Sequence, residues 1–320
     1  MALFLRKSLY IAGMLLLISL ISFLAIHAAP NSFFSAGELN PNITKESIEH
    51  LKAVYGLDKP LWEQYLRWLG AMVHLDFGLS FASGKEVIDE ISARLPITLT
   101  MNAISMIFVF ALSLKLGMRA ALKYEKLEDK VTKQLSLLSF AMPSFYLALL
   151  MVLFFSLKLG WFPISGLQSI EPKEGIMKWI DYAWHLAIPI FVMVFGGIGG
   201  LLMYVRSLTL EILKSDYIFF AKARGIDDAT IRRRFIMPNL MPSIVTILGL
   251  SLPGLIGGSV IIESIFSING MGLLFYQSAL SRDYPVIMGI LIITAFLTLL
   301  GNVLADLVLL KLNPYAQRGS

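Results

Sequence analysis

Ser215-Asp216-Tyr217-Ile218-Phe219-Phe220-Ala221-Lys222-Ala223-Arg224-Gly225-Ile226-Asp227-Asp228 separates two apolar segments that are each long enough to cross a bilayer. The stretch reads as a helix, a stop and a new helix. Asp216 is placed to accept from the first free amides, Lys222 and Arg224 fall in the last turn where cations suit the helix dipole, and Gly225 supplies the left-handed residue beyond the C-cap. Asp227 or Asp228 caps the second helix, which carries Arg232-Arg233-Arg234 and is expected to close at Pro238. A compact knob with an aromatic and a basic face follows, built to press on something.

Outward from the knob, the 320 residues are 57% apolar and only 15% charged, which excludes an ordinary soluble domain. Apolar runs at 9–29, 97–117, 137–157, 186–205, 244–262 and 286–310 each approach the length a bilayer needs. The expected fold class is therefore an all-α polytopic membrane protein with six transmembrane helices, an extracytoplasmic helical cap and a helix-containing loop below. Its organisation is residues 1–29 with span one, 30–95 outside, a five-span core over 96–311 that includes the loop 206–241, and a tail at 312–320.

Charge orients these spans. Arg6 and Lys7, six Lys/Arg in 115–133, seven in 206–234, and Lys311 with Arg318 place 17 cations on one side against 10 on the other. Both termini are thus expected in the cytoplasm. Ala25-Ile26-His27-Ala28-Ala29 offers no clean signal-peptidase site, so the first run is read as a retained span. The absence of cysteine fits a bacterial inner membrane and removes thiolate metal sites.

Within residues 30–95, Thr44 is expected to cap a helix bearing Ile48, Leu51 and Tyr55 and stopped by Gly56. Pro60 starts a second, with Leu61, Tyr65, Trp68, Leu69 and Met72 on it, and Val87, Ile88, Ile91 and Leu95 form a third. Residues 126–133 alternate charge and read as a solvated loop. In span three Pro143 is expected to face the bundle, where protein or water satisfies the carbonyl it frees. Trp161, Trp179, Tyr182 and Trp184 read as an interfacial belt in an outer connection over 158–185. Gly196 and Gly200 have the spacing of a close helix seam, either inside this chain or with a second one. Glu263 and Asp306 lie near span ends, where snorkelling or a local hydrogen bond is expected.

No G-x-x-x-x-G-K-[S/T] loop occurs, since Gly84-Lys85 is followed by Glu86, and neither H-E-x-x-H nor G-x-S-x-G is present. Nothing here points to an enzyme.

Gly225, nine residues and then Phe235-Ile236-Met237-Pro238 resemble the signature loop of ABC-importer permeases, E-A-A, three residues, G, nine residues, I-x-L-P, with Ala221, Gly225 and Pro238 matching it. Tyr55-Gly56-Leu57-Asp58-Lys59-Pro60-Leu61, His74-Leu75-Asp76-Phe77-Gly78, Arg94-Leu95-Pro96 and Arg282-Asp283-Tyr284-Pro285-Val286 resemble the peptide and nickel members of that family, so the likeness spans nearly the whole chain. The resemblance implies a permease that lines the path for short peptides, with a nickel chelate as the alternative cargo; His27, His50, His74 and His185 all fall on the outer side. It implies a second homologous permease, two cytoplasmic ATP-binding subunits, an extracytoplasmic solute-binding protein received by the cap, and membrane lipid, but no nucleic acid. This chain would bind no cofactor of its own, with ATP and magnesium held by the ATPases. Asp216, Phe219, Phe220, Ala221, Arg224, Gly225, Asp228, Arg232 and Pro238 would be the ATPase-coupling residues. In span five, Pro242, Gly249, Pro253, Gly254, Gly257 and Gly258 weaken the helix near its middle. Gly249, Leu252, Pro253 and Gly257, with Pro143 of span three, are the expected path and gate, and Leu255 and Ile256 adjoin them. A secondary transporter with inverted repeats and a membrane scaffold are the readings from other classes, and no second copy of the 216–238 pattern supports the first.

Overall fold

Apolar runs broken by proline and glycine leave the backbone one option inside a bilayer, hydrogen bonds closed within each helix. The computed structural model describes residues 2–28, 59–255 and 260–312, and these are helical apart from short connections. The expected helix after Thr44, His50, Ile256, Gly257, Gly258 and the last eight residues lie outside the described residues, as do the side chains of Pro253 and Asp306. The helices are α1 (Ala2–Ala28), α2 (Leu61–Val73), α3 (Val87–Leu122), α4 (Leu127–Ala141), α5 (Ser144–Lys158), α6 (Ile176–Leu213), α7 (Asp216–Ala223), α8 (Asp228–Ser251), α9 (Val260–Ile265), α10 (Met271–Ser281) and α11 (Tyr284–Leu312). Of these, α3, α6, α8 and α11 are each long and apolar enough to span, α4 with α5 makes a fifth crossing if read as one bent pair, and Leu9–Ala25 of α1 is a further apolar helix. That pattern fits the six runs read from the sequence.

The chain divides into two compact units, residues 1–98 with 269–300 and residues 99–268 with 301–320. In the first, Phe77, Val87, Ile91, Met271, Leu274, Val286, Ile290 and Ile292 form the core. Gly289 is required there, because a Cβ would come within 2.6 Å of Val87 Cγ1. Phe23 of α1 meets Tyr65 of α2 edge-on at 5.4 Å, and Ser19 Oγ lies 2.9 Å from the Tyr65 hydroxyl. The loop before α3 is tied by Asp283, whose buried carboxylate accepts from Ser80 Oγ at 2.6 Å and from the Phe81 and Ala82 amides at 3.1 Å. The separate short helix expected at Val87–Leu95 is instead the first part of α3, which continues through Pro96 because the apolar stripe is unbroken on either side.

The second unit is organised on α6, which runs for 38 residues, well beyond the roughly 20 needed to cross a bilayer. Its residues 176–185, nearly three turns, therefore occupy the stretch assigned by sequence to the outer connection. On α4, Ser136 Oγ donates to the Gly199 carbonyl at 2.6 Å, Ser139 donates to the Phe195 carbonyl, and the Gly199 amide donates to Ser139 Oγ at 3.0 Å. Close approach is thus made at Gly199, and at Gly117, whose Cβ would sit 2.7 Å from the Leu202 carbonyl oxygen. The Gly196 and Gly200 pair does not make the seam inside this chain: a Cβ on Gly200 meets nothing within 4 Å.

Two further expectations change. The α4 and α5 axes differ by 101° across Met142 and Pro143, and Pro143 is exposed at the start of α5. The proline ends one helix and begins the next, so no mid-helix carbonyl is freed for a bundle to satisfy. Asp129, expected in a solvated loop, is fully buried, paired with Arg206 of α6 through Nε at 2.5 Å and Nη2 at 2.9 Å. Glu263 is also fully buried and has a partner, which leaves a hydrogen bond or ion pair, and not snorkelling, as its account.

Candidate functional site, a rigid knob and a broken span

Between α6 and α8 the chain makes the helix, stop and helix read from sequence, with its details set by packing. Ser215 occupies the N-cap of α7 in extended conformation, and its hydroxyl donates back to the Ile212 carbonyl at 2.6 Å. Asp216 sits inside the first turn, where a carboxylate suits the positive end of the helix but does not cap it. This corrects its expected role as acceptor of the free amides.

Two faces of α7 separate cleanly. Ile218 and Ala221, three residues apart, are buried among Val205, Ile212, Ile231, Ile236 and Leu240, whereas Phe219 and Phe220 are 68% and 63% exposed. Ala221 therefore belongs to the chain's own core, not to the outward contact surface expected of it. Arg224, Asp228, Arg232, Arg233, Arg234 and Pro238 are exposed as well.

The stop is a Schellman turn. The Ile226 amide donates to the Ala221 carbonyl at 3.1 Å and the Gly225 amide to the Lys222 carbonyl at 2.9 Å, with Gly225 at φ +74°. Asp227 then caps α8, accepting from the Thr230 amide at 2.9 Å and the Thr230 hydroxyl at 2.6 Å. Those bonds, the Thr230 hydroxyl first, hold the Asp227 carboxyl below its ordinary value. The cap is fully formed above the usual carboxylate range and is lost only as pH falls through the lowered value.

Beyond the cap, α8 winds as a π-helix over Ile231–Ile236 and then as an α-helix to Ser251. Ile231 and Ile236 are five residues apart and both buried, while Ile236, Leu240 and Ile244 follow at fours. One extra residue in the turn lets both sides of the change in winding face the same core. Pro238 consequently does not close the helix. Its missing amide falls just after the π turn, where the i to i−4 ladder is already interrupted. The basic cluster sits on the opening turns of a spanning helix, not on a free-standing knob.

Further along, the α-helical winding of α8 ends at Ser251 and a 3-10 turn covers Leu252–Leu255, so the winding changes within the stretch of span five expected to be weak. Gly249 is buried and Leu252 partly buried at this change. Asn102 of α3, buried, donates its amide to the Leu255 carbonyl at 2.8 Å. Sequence reasoning missed Asn102, the Asp129–Arg206 pair and the Asp283 tie. The available signals were an isolated amide and an isolated guanidinium in otherwise apolar runs.

Among the histidines, Nδ1 of His27, His74 and His185 lies within hydrogen-bond distance of the carbonyls of Phe23, Gly70 and Asp181. Among the described residues, no three His, Cys, Asp or Glu side chains converge as a metal site.

A family model described as binding-protein-dependent transport system inner membrane component matches residues 113–317, and the model of its N-terminal region matches residues 1–102. The oligopeptide transport system permease protein AppB of Bacillus subtilis is 36% identical over 311 residues, covering 97% of each chain. The dipeptide transport system permease protein DppB of Lactococcus lactis is 33% identical over 301 residues, 94% of each. A putative peptide transport system permease protein of Brucella abortus is 31% identical over 308 residues, 96% of each. Among solved structures, the chain is similar in fold to one from the MetNI methionine ABC transporter in an inward-facing conformation, with TM-score 0.52 and 17% identity over 70% of this chain and 97% of that one. Matched along nearly its whole length, this chain belongs to the binding-protein-dependent transport system inner membrane components.

Proposed function

We propose that this chain is the permease subunit of an ATP-driven importer of short peptides, multi-pass in a bacterial inner membrane with both termini in the cytoplasm. The peptide cargo is supported by the relatives named as oligopeptide and dipeptide transport system permeases, which align over nearly all of their length. Its partners are a second permease of the same family, two ATP-binding subunits below and a solute-binding protein outside. The chain hydrolyses nothing itself and holds no resident cofactor, ATP and magnesium being bound by the ATPases.

The observation that carries this reading is the exposed Phe219 and Phe220 pair on a short helix fixed at its C-terminal end by the Schellman turn and underneath by Ile218 and Ala221. Two aromatic rings turned to water on a rigid mount are the form of an anchor for a partner's cleft. Asp216, Arg224, Asp228 and Arg232 supply its polar rim. Closure of the ATPase pair then shifts α7, and α6 and α8 move with it because they share one core. Only contacts that differ between open and closed ATPase can move the path. The change of winding at Gly249, Leu252 and Pro253 is where that shift opens it.

The test is Phe219→Ala with Phe220→Ala in the complete transporter. Each lost anchor is expected to weaken ATPase docking by about 2 kcal/mol, roughly 30-fold. ATPase co-purification and peptide uptake into proteoliposomes should both collapse while this chain still inserts. Uptake at the wild-type rate would overturn the proposal.

A further inference from the structure

A helix that begins inside a bilayer brings its leading amides with it, and hydrocarbon offers them no acceptor. Helix α5 begins in that way. Running antiparallel to α6, α4 pairs Asp129 with Arg206 at the end nearer the knob, then Ser136 with Gly199 and Ser139 with Phe195. Ser144, the first residue of α5, lies beside Gly196, where a Cβ would come 4.0 Å from Ser144 Cβ. Gly196 is near the centre of the apolar run 186–205, so the corner at Met142 and Pro143 falls at mid-depth in the membrane. Pro143 provides no side-chain cap, and the Leu147 amide bonds back to the Pro143 carbonyl at 3.1 Å. Ser144, Phe145 and Tyr146, whose amides precede it, are all exposed on this chain.

The free faces of α5 and α6 differ in chemistry. On α5, Phe145, Leu149, Leu153 and Leu157 are exposed at every fourth position, an apolar stripe that suits lipid. From Gly196 to Glu211, the exposed residues of α6 are Gly196, Gly197, Gly200, Tyr204, Ser207 and Glu211, with no aliphatic side chain among them. All but Gly197 follow one another at three- or four-residue steps, a single face that runs roughly 22 Å from the corner toward the knob. Gly200 is open, since a Cβ there meets nothing within 4 Å.

We propose that this patch, the α4–α5 corner with the Gly196 to Glu211 face of α6, is the chain's own wall of the peptide path from mid-membrane to the cytoplasmic side. It rests on the permease reading above and gives that path its residues. Irregular backbone at membrane depth is tolerated only against protein or water, which removes lipid from the corner. A second permease would have to present acceptors matched to the amides of Ser144, Phe145 and Tyr146. Water meets them without such a match, and the carbonyls of a passing peptide can take its place. Gly196 and Gly200 keep the surface of α6 low at the depth where the cargo must pass.

The chain has no cysteine, so single thiols report on the patch in the complete transporter, held in lipid nanodiscs with cysteine-free partner subunits. Ser144→Cys exchanges one atom, Gly200→Cys enters open space, and Leu149→Cys on the apolar stripe of α5 is the reference. Toward a membrane-impermeant methanethiosulfonate the first two are expected to react at least about tenfold faster than the reference, because the reacting thiolate forms in water and not in hydrocarbon. Gly200→Trp is expected to abolish peptide uptake into proteoliposomes while the melting temperature of the purified chain stays unchanged. Rates equal to that of Leu149→Cys would put the patch against lipid and overturn the proposal. Slow reaction together with oxidative cross-linking of Ser144→Cys to a cysteine introduced in the second permease would make the patch a subunit seam and overturn it too, as would normal uptake by Gly200→Trp. Failure of the unsubstituted transporter to import any peptide would instead count against the permease reading, and the labelling rates would still decide whether the patch is wet.

Discussion

Asp129 and Arg206 show how much a single pair contributes when water is excluded. The carboxylate is fully buried, bound by both Nε and Nη2 of Arg206, by the Glu125 amide at 3.0 Å and by Lys133 at 3.2 Å. The guanidinium also lies 5.6 Å from the centre of the Tyr124 ring. Arg206→Met should therefore cost about 1.5–3 kcal/mol by taking the guanidinium from a buried anion that then keeps only Lys133 and the Glu125 amide, and adding Asp129→Leu should restore most of it. Melting temperatures of the purified chain in detergent test this, and a single variant as stable as the parent would refute it. In the sequence Asp129 is one of several alternating charges over 126–133. Nothing local distinguishes it from its solvated neighbours, because its partner lies 77 residues away.

Elements, by contrast, announced their ends. Gly225 as stop and an aspartate cap at 227 or 228 are legible because both roles depend on backbone conformation within a few residues, and the structure gives the cap to Asp227. Gly225→Val meets no neighbour, since nothing lies within 4 Å of its Cβ position, but it must hold φ +74°. A cost of about 1–2 kcal/mol and a reoriented α7 follow. Uptake should fall more steeply than the amount of inserted protein, and an unchanged ratio of uptake to inserted chain would count against a fixed knob. Where the sequence reading went wrong, a long-range term had displaced a local one. Pro238 was read as a terminator by its missing amide, yet the π turn over Ile231–Ile236 lets the helix pass through. Ala221 is expected in the outward contact with Phe219 and Phe220, yet it shares the inner face with Ile218.

For the whole molecule, small residues decide which helices touch, and glycine content alone does not say which glycine. Gly199→Leu would drive a side chain into Ser139 Oγ at 2.9 Å and the Ser136 carbonyl at 3.0 Å, whereas Gly200→Leu points into open space. The first should destabilise the purified chain by about 1–3 kcal/mol, as overpacking does, and the second should leave its melting temperature unchanged; equal losses would show that the α4–α6 seam is not where the chain is tight. By itself, the sequence determined that this is a helical membrane protein, where its apolar runs lie, and that a capped helical knob divides two of them. Those properties follow from composition, hydropathy and short-range backbone rules that each segment carries alone. Only the tertiary structure decided which face of α7 is free, which glycines carry the seams, that α4 and α5 meet at 101°, and that Asn102, Asp129 and Asp283 each hold a distant segment. Such choices depend on partners many tens of residues away, and a buried polar group is identified by what it meets, not by what it is.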